Sequence, residues 1–344
     1  MKKNINETNI IFFGSYLKIK NQKSAVIGAE IANKLSKHAN VILTSSKKNI
    51  FLRMLDMIFS LLKNRKQISF IIIDTYSTLN FYYCLIISVL ARFFQIPYYT
   101  HLHGGDLNDR LRKSPFFCDL IFKNSKNNIS PSKFLFDSFS RKGYSTIYIP
   151  NFINIDLYKF KERRSCSLKL LWLRSFHAIY NPEMAIQVVK NLEKSYQNVE
   201  LCMVGNDKDG SLKECKKLVD DFGLNKQIKF TGFLPKHEWI SLSKNYDIFI
   251  NTTNYDNMPV SIIEAMALGL PIVTTVVGGL KYLLDNNIDS LFVPKGDVSK
   301  MCKQIIRLKT NNDLCHRLSL NGRIKAEQFT WDVVKKDWYK LIKN

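Results

Sequence analysis

Apolar runs of strand length alternate with helix-length segments along the whole chain. Ile68–Ile73 is the strongest of these runs, because isoleucine and phenylalanine favour strands. Strands joined by helical crossovers are typical of a parallel sheet covered on both faces, so the pattern predicts an α/β fold. In the first part of the chain, the predicted strands are Asn9–Phe13, Val41–Leu43, Ile68–Ile73 and Tyr98–His101, and the predicted helices are Ser24–His38, Phe51–Leu62 and Leu79–Phe94.

The alternation pauses once and then resumes. It stops near Pro150–Asn151, and the charged stretch Lys159–Arg164 follows. At ~150 residues per domain, a chain of 344 residues fits two domains. We therefore predict two doubly wound domains with a cleft, in which ligands bind at the carboxyl ends of the strands. The second domain is predicted to contain strands at Leu168–Leu173, Val199–Val204, Gln227–Thr231, Asp247–Ile250 and Pro271–Thr274, and helices at Pro182–Ser195, Ser211–Phe222 and Val260–Leu268.

The composition is that of an ordinary globular protein, with 46% hydrophobic and 23% charged residues. This excludes collagenous, disordered and disulfide-scaffold classes. The 51 basic and 29 acidic side chains give a net charge of +22. Residues 1–155 carry 22 basic and 8 acidic side chains, so this part is the more basic. Such a charge predicts attraction to nucleic acid, anionic lipid or phosphorylated ligands.

The seven cysteines are scattered, odd in number and form no C-x-x-C pair. We therefore expect neither a zinc site nor a disulfide framework, and a reducing cytoplasm as the compartment. The start of the chain lacks the apolar segment of a signal peptide. The longest uncharged run, Thr75 to Ala91, contains polar residues and is shorter than the ~20 residues of a membrane span. It is predicted to be a buried helix.

The predicted helix Phe51–Leu62 has an unusually wide apolar face. Its polar residues Arg53, Asp56 and Ser60 share one helical stripe with Lys63, and everything between them is apolar. Such a helix is either a well-buried crossover or one that lies on lipid. Basic residues flank it on both sides, and each helps binding to an anionic leaflet, so the sequence leaves both interpretations open.

The stretch Asn254–Pro271 is the most informative for chemistry. Asp256 and Glu264 stand eight positions apart, the first after the strand Asp247–Ile250 and the second in the first turns of the helix Val260–Leu268. A helix N-terminus attracts phosphate groups and sugar hydroxyls, and Glu264 is able to accept hydrogen bonds from a ribose diol. The alternative is that both carboxylates only complement the helix dipole.

This arrangement resembles the E-x7-E signature of the retaining nucleotide-sugar glycosyltransferases of family 4, which have the GT-B fold. Further segments match the family in order, and together they span roughly residues 10–342. The resemblance implies an acceptor domain at 1–155, a donor domain at 156–325 and a C-terminal helix within 326–344 that packs back on the first domain. The matching segments are His103–Asp106, Ser130–Lys133, Ile149–Asn151, Gly232–Pro235, Gly269–Thr275, Gly278–Gly279, Asn286–Val293, Asn321–Arg323 and Phe329–Trp331.

The resemblance also implies a role for each matching residue. Arg174, Asp256 and His103 are the implied catalytic residues, at the leaving diphosphate, the transferred sugar and the reacting centre respectively. Arginine suits a diphosphate because it is permanently charged and bonds phosphate bidentately, so no metal and no other cofactor is expected. The implied donor-binding positions, besides Arg174, are Glu264 at the ribose, Gly14 near the diphosphate or acceptor, Phe233 and Leu234 at the base, and Asn257, Met258, Pro259 and Val260 at the sugar–diphosphate turn.

The sequence also departs from the family pattern. The first acid is Asp256, which is one methylene shorter than the usual glutamate. The family's lysine after the arginine is missing, and His177 or Tyr180 is the candidate substitute. The second glycine of the first loop is unclear around Ser24–Ala25.

Other candidate sites are weaker. The Asp207-Lys-Asp209 triplet is expected to be a surface loop, because a metal would need further oxygen ligands. His101 and His103 are expected to point to opposite faces if the strand continues, which argues against a metal pair and favours a structural role for His101.

The sequence therefore predicts a metal-independent hexosyltransferase that moves a sugar from a nucleotide-diphosphate donor to a hydroxyl of a glycan or lipid-linked acceptor. The implied setting is bacterial surface polysaccharide synthesis (capsule, O-antigen or lipopolysaccharide). The expected place is the cytoplasm, peripheral on an anionic inner-membrane surface. The alternative is a catalytically weak subunit that binds a nucleotide-sugar or glycan within a glycan-assembly complex. No nucleic-acid partner is expected, because the sequence has no nucleic-acid-binding motif.

Overall fold

The computed structural model describes residues 8–16, 27–103 and 106–343. These residues form two compact units. One unit contains the described residues up to Asn151 and those from Asp332 onward, and the other spans Phe152–Trp331. From the sequence, the corresponding boundaries were predicted at 155/156 and 325/326.

The first unit is built on a six-stranded parallel sheet with the order β2-β1-β3-β4-β5-β6. Its strands are β1 Asn9–Phe13, β2 Asn40–Thr44, β3 Phe70–Thr75, β4 Tyr98–Leu102, β5 Asn127–Ser130 and β6 Thr146–Tyr148. Its helices are α1 Ile27–Leu35, α2 Ile50–Asn64, α3 Phe81–Phe93, α4 Leu107–Lys113, α5 Pro115–Phe122 and α6 Lys133–Ser140.

The second unit repeats this plan, with a parallel sheet in the order β12-β11-β10-β7-β8-β9. The predicted pair of doubly wound parallel sheets is therefore confirmed. The strands are β7 Lys169–Leu173, β8 Glu200–Val204, β9 Ile228–Gly232, β10 Ile248–Asn251, β11 Ile272–Thr275 and β12 Ser290–Val293. The helices are α7 Pro182–Glu193, α8 Ser211–Asp221, α9 Lys236–Leu242, α10 Val260–Ala267, α11 Leu280–Leu283, α12 Val298–Thr310 and α13 Asn312–Glu327, followed by α14 Trp331–Lys343, most of which groups with the first unit.

Each sheet has a point where the strand order reverses, and ligands of such sheets bind there, at the carboxyl ends of the strands. In the first unit this point lies between β1 and β3. In the second unit it lies between β7 and β10. Arg174 directly follows β7, and the loop with Asp256 follows β10, so the topology places both residues at the switch point.

Local sequence explains why helix α2 begins at Ile50. Asn49 is the N-cap, and its side-chain oxygen accepts hydrogen bonds from the amides of Phe51 and Leu52. The helix buries Met57 and Leu61 against the sheet, and its opposite face is exposed. The interpretation of this helix as a well-buried crossover is therefore wrong for that face.

The structure corrects two further expectations. The uncharged run Thr75 to Ala91 begins as the end of β3 and continues into α3, which is buried on one side only. No helix among the described residues has the length and apolarity needed to cross a membrane.

Cys166 and Cys315 form a disulfide, although no disulfide framework was expected. These cysteines are 149 positions apart in the chain. Neither the spacing nor the number of cysteines in the sequence reveals that the fold brings these two together.

Candidate active site

Arg174 and Asp256 meet at the switch point of the second unit. Their side chains form an ion pair, and both are largely buried. The guanidinium carbon of Arg174 also lies 4.2 Å from the ring centre of Tyr180, which is a cation–π contact. Burial lowers the pKa of the Arg174 guanidinium, and the neighbouring Tyr180 opposes this shift. Because the pKa of arginine starts far above neutrality, the group stays charged.

The Arg174–Asp256 pair leaves part of its hydrogen-bonding capacity unused. The Nε–H of Arg174 is buried and meets no hydrogen-bond acceptor among the described residues. The hydroxyl of Ser261, in the first turn of α10, is likewise shielded without a partner in the described part of the chain. Buried polar groups in native proteins are nearly always satisfied, so groups of this kind indicate a place for a polar ligand.

The loop that carries Asp256 is held by a glycine pair. The amide of Gly279 donates to the carbonyl of Asp256 at 2.9 Å. A Cβ on Gly279 would lie 1.8 Å from the carbonyl oxygen of Asn257, and one on Gly278 would lie 2.1 Å from that of Asp256. Only glycine permits this approach, so the Gly278–Gly279 pair fixes the position of the loop.

We expect Gly279→Ala to destabilise the protein by about 1–3 kcal/mol, because the methyl group pushes the loop with Asn257 away. Gly322→Ala, in the middle of α13, is the matched control, since its Cβ would meet only ordinary contacts of at least 3.5 Å. Urea unfolding measures both changes. Equal stability of the two variants would contradict this account of the glycine pair.

Glu264 is buried in helix α10 and is held by two side chains. Its Oε1 accepts a hydrogen bond from the hydroxyl of Tyr158 at 2.5 Å and forms an ion pair with Nζ of Lys236 at 3.0 Å. Lys236 begins α9, directly after the loop with Phe233 and Leu234. The structure therefore ties Glu264 to the predicted base-binding loop.

Four of the remaining predicted donor-binding residues lie at the start of α10. Asn257, Met258 and Pro259 are buried, and Met258 belongs to the apolar core of the unit together with the partly buried Val260. Phe233 is 42% exposed, as a residue that stacks on a ligand base needs to be. The structure places these residues in the loops after β9 and β10 and in the first turn of α10, whereas Gly14 follows β1 of the other sheet.

The two candidate substitutes for the missing lysine lie in different places. Tyr180 packs against Arg174. The ring of His177 accepts a hydrogen bond from the amide of Ile179 and lies 3.7 Å from Asp209. Of the two, Tyr180 is the residue beside the arginine.

The carboxylates of the Asp207-Lys-Asp209 triplet are occupied by local hydrogen bonds. Asp209 accepts from the amides of Ala178 and Ser211, and Asp207 accepts from the amide of Gly210. The bonds from Gly210 and Ser211 stabilise the loop after β8, and the bond from Ala178 joins this loop to the one after β7.

A buried polar cluster lies at the switch point of the first unit. Oδ1 of Asp74 is 2.8 Å from Nε2 of His103 and 3.3 Å from Nδ1 of His101, and Oδ2 accepts a hydrogen bond from the hydroxyl of Tyr16 at 2.9 Å. Burial raises the pKa of Asp74, but the two histidines outweigh it and hold the pKa below its usual range. Burial lowers the pKa of His101 to about 4, so this ring is neutral at pH 7.

His101 and His103 reach the same carboxylate, contrary to the expectation that they point to opposite faces. That expectation was wrong, because side chains two positions apart in a strand lie on the same face and only neighbouring ones alternate. The ring nitrogens of the two histidines and a carboxylate oxygen of Asp74 all lie within 4.8 Å of one another, close enough for a metal ion, and in the structure both rings hydrogen-bond to Asp74. The ring of His103 stacks on Tyr76 at 5.0 Å between ring centres.

Gly14 lies against this cluster. A Cβ at Gly14 would be 2.4 Å from Oδ2 of Asp74 and 2.7 Å from the ring of Tyr16. Gly28, in α1, approaches the same carboxylate, with a Cβ distance of 2.7 Å. The two glycines make room for the carboxylate of Asp74. Ser24–Ala25, where the second glycine of this loop was sought, lie outside the described residues, as do the two glycines of the His103–Asp106 segment.

Sequence reasoning missed three of the residues that hold the site. Asp74 is the last residue but one of an apolar strand, where a charged residue is itself a signal. Lys236 directly follows the Gly232–Pro235 segment, so extending that motif by one residue would have included it. Tyr158 lies at the start of the predicted donor domain, and no pattern in the sequence marks it.

Comparison with known proteins gives the context for this site. Residues 158–325 match the family model described as "Glycosyl transferases group 1". The amylovoran biosynthesis glycosyltransferase AmsK of Erwinia amylovora is 25% identical over 169 residues, which cover 44% of this chain and 42% of AmsK. The α-monoglucosyldiacylglycerol synthase of Acholeplasma laidlawii is 24% identical over 233 residues, which cover 62% of this chain and 57% of that protein. The chain thus spans about half the length of these relatives.

A solved structure with the same fold is that of Anabaena HepE in complex with UDP-glucose. It superposes with a TM-score of 0.79 at 16% identity, over 97% of this chain and 99% of HepE. At this identity the likeness shows the fold alone. The family match covers just under half of the chain, and the structural likeness shows the two Rossmann-like domains of the GT-B fold.

Proposed function

We propose that this protein is a retaining glycosyltransferase that moves a hexose from a nucleotide diphosphate to a hydroxyl of a glycan or lipid-linked acceptor. The observation that carries the proposal is the buried, charged Arg174 at the switch point, whose Nε–H lacks an acceptor in the described part of the chain. A diphosphate supplies that acceptor and carries the negative charge that the guanidinium binds.

The chemistry of transfer suits this arrangement. When the bond between the sugar and the diphosphate breaks, negative charge grows on the phosphate oxygen, and the sugar gains oxocarbenium character. Arg174 stabilises the leaving phosphate, and the Ser261 hydroxyl donates a further hydrogen bond to it. A preorganised donor of this kind contributes a few kcal/mol to the transition state, because it needs no reorientation during the reaction.

Glu264 binds the ribose of the donor. Its carboxylate accepts hydrogen bonds from the ribose diol, while Tyr158 and Lys236 hold it in place. Phe233 and Leu234 flank the base. Asn257, Met258, Pro259 and Val260 line the turn between the sugar and the diphosphate.

Asp256 contacts the transferred sugar and sets the position of Arg174. The side chain of aspartate is shorter than that of the family's usual glutamate, and here it reaches the arginine. On donor binding, the phosphates share the guanidinium with Asp256, which leaves a carboxylate oxygen for a sugar hydroxyl.

His103 acts at the sugar, near its 6-position. The ionised carboxylate of Asp74 faces Nε2 of His103 and favours a proton on that nitrogen, which leaves Nδ1 as the candidate acceptor. We propose that Nδ1 accepts a hydrogen bond from the sugar hydroxyl and that Gly14 lies near the diphosphate or the acceptor. Asp74 is thus a positioning residue.

The proposed reaction needs no metal ion. Arg174 supplies the fixed positive charge that a divalent cation gives to other nucleotide-sugar enzymes. We therefore expect activity to persist in the presence of a chelator.

The proposed setting is the synthesis of a bacterial surface polysaccharide on the cytoplasmic face of the inner membrane. AmsK is described as an amylovoran biosynthesis glycosyltransferase, and the relative from Acholeplasma laidlawii is described as a synthase of a glycolipid. HepE was solved with UDP-glucose, which supports a nucleotide-sugar donor. In the proposed setting, the acceptor is a lipid-linked or growing glycan.

The departures at Asp256 and Tyr180 favour one alternative, a binding subunit with weak catalysis. Tyr180 stands beside Arg174 where the family has a lysine, so one cation fewer faces the leaving group. Such a subunit binds a nucleotide-sugar without turning it over.

We expect Glu264→Gln to weaken nucleotide-sugar binding by about tenfold to a hundredfold, because the neutral amide accepts more weakly from the ribose diol and loses Lys236. Titration calorimetry with the donor measures this change. Glu214→Gln, on the exposed surface of α8, is the control and should bind as the unchanged protein does. Equal affinity of the two variants would place the ribose elsewhere.

Turnover is tested directly with UDP-, GDP- and ADP-linked hexoses. The release of nucleoside diphosphate is followed with water as the acceptor and again with a lipid-linked glycan. We expect the hexose conjugates of one nucleotide to be cleaved, and cleavage to be faster with the glycan than with water. The reaction should proceed in the presence of EDTA, and the product should keep the anomeric configuration of the donor. Binding without any cleavage would support the binding subunit instead.

A further inference from the structure

Helix α2 presents a continuous apolar stripe to solvent. Phe51, Leu55, Phe59 and Leu62 recur at i, i+4, i+8 and i+11, which places them on one face of the helix, and Leu52 widens that face. Phe51 is 77% exposed and Phe59 is 66% exposed. A contiguous exposed patch of large apolar side chains usually marks a surface that binds a partner or a membrane.

Helix α3 presents a second stripe of the same kind. Tyr82, Ile86, Val89 and Phe93 recur at i, i+4, i+7 and i+11 and are exposed, Phe93 to 75%. With the five exposed α2 residues they define what we call the apolar face. Of the twenty large apolar side chains that the described residues expose, fourteen lie between Ile42 and Phe117, so the exposure is concentrated in this part of the fold.

The two stripes lie on the same side of the sheet. The connections β2–β3 and β3–β4 run in one direction across it, and right-handed crossovers therefore place α2 and α3 on one face. The connection β1–β2 runs in the opposite direction, which places α1 on the other face. The helices contact each other, and Arg53 of α2 donates to the side chain of Asn80, the N-cap of α3, at 3.2 Å.

Positive charge borders the apolar face. Five exposed basic side chains lie at the two ends of α2, and few acidic groups oppose them. Asp56 is hydrogen-bonded to Ser45, and Asp74 is fully buried. The flanking residues are Lys47, Lys48, Lys63, Arg65 and Lys66.

This combination identifies the occupant. A second copy of the chain would bring the same positive border, and a self-complementary contact would set like charges against each other. Anionic lipid matches both features, because its headgroups attract the lysines and its acyl chains receive the aromatic and aliphatic side chains. From this geometry we infer that the apolar face lies in the surface of an anionic bilayer. The proposed function supplies only the purpose, which is access to a lipid-linked acceptor.

The experiment is flotation of the full chain with phosphatidylcholine vesicles, with and without phosphatidylglycerol, in the absence of nucleotide. We expect binding to the anionic vesicles and little to the neutral ones. Leu55→Ser/Phe59→Ser should weaken binding at least tenfold, because two inserted side chains are lost. The control Leu320→Ser/Ile324→Ser has the same i, i+4 spacing on the exposed face of α13 and should bind as the unchanged protein does.

The charge is tested with a second pair. Lys63→Gln/Lys66→Gln should weaken binding to anionic vesicles, by about fivefold per lysine. Lys213→Gln/Lys216→Gln, an exposed pair on α8 with the same spacing, is the control.

Three results would overturn the inference: no binding to anionic vesicles, equal loss in both serine pairs, or a dimer in sedimentation velocity that Leu55→Ser/Phe59→Ser dissociates. Donor binding is titrated on the same proteins and should be the same in all of them. If the unchanged protein binds the donor but not the anionic vesicles, the membrane inference alone is contradicted. If the unchanged protein does not bind the donor, the proposed function is contradicted.

Discussion

Arg174→Met is expected to lower the rate of sugar transfer by about 10²–10³-fold, because the leaving phosphate loses its preorganised positive charge. The effect should appear in kcat, since charge on the leaving group grows only as the bond breaks. Arg174→Lys should recover part of the rate. Lysine keeps the charge but loses the planar fork and the stacking on Tyr180. Initial rates of nucleoside diphosphate release measure all three proteins.

The ion pair with Asp256 requires a control for stability. Removal of one partner of a largely buried pair leaves the other charge uncompensated, at a cost of roughly 3–5 kcal/mol in the free energy of unfolding. Arg174→Met/Asp256→Asn removes that charge, so stability should recover while transfer stays low. If the double variant recovers both, Arg174 has a structural role only.

Asp74→Asn is expected to lower kcat by about a hundredfold, because His103 loses the partner that fixes its proton on Nε2 and its ring orientation. The asparagine amide has a single acceptor oxygen, so either the Tyr16 hydroxyl or the histidines lose their acceptor. We therefore expect a loss of about 1–3 kcal/mol in the free energy of unfolding. Initial-rate measurements and urea unfolding separate the two effects.

Tyr16→Phe is the matched control for Asp74→Asn. It removes a hydrogen bond to the same carboxylate but leaves the contact between Oδ1 and His103 in place. Its stability should fall while kcat stays close to that of the unchanged protein. In Asp74→Asn kcat itself should fall, because His103 loses the carboxylate that orients its ring. Equal kcat values in both variants would remove Asp74 from the mechanism.

The order of strands and helices was largely predictable from the sequence. Apolar strands such as β3 and β8 are buried on both faces and therefore stand out as continuous runs. Strand β5 was missed because it is polar, with Asn127 and Asn128 in its first two positions. Asn128 is fully buried, and its amide group donates to the carbonyls of Phe122 and Ser145. Only the assembled sheet supplies these partners.

The candidate site was predictable where motif and topology agree. Arg174, Asp256 and Glu264 each follow or begin an element at the carboxyl edge of one sheet, so their neighbourhood follows from strand order. The contacts between them did not follow from the sequence. The pairing of Arg174 with Asp256 and the contact of Glu264 with Lys236 both depend on loop conformations, which the Gly278–Gly279 pair sets in part.

The exposed face of α2 shows a different limit. An apolar stripe in a sequence predicts that a helix meets an apolar environment, and either a protein core or a lipid surface provides one. Met57 and Leu61 of that helix are fully buried in the core, and Met54 and Ile58 pack against it while partly buried, whereas the opposite stripe stays exposed. Which of the two environments a residue meets is therefore decided by packing.

Calorimetric titration of UDP, GDP and ADP, and of their hexose conjugates, into the full chain tests the central claim most directly. The account predicts that one nucleotide family binds, that EDTA leaves the affinity unchanged, and that Arg174→Met weakens binding of the diphosphate. Two results would contradict the assignment of a nucleotide-sugar site to the switch point of the second unit. One is that the unchanged protein binds none of these nucleotides, and the other is that Arg174→Met binds them as tightly as the unchanged protein does.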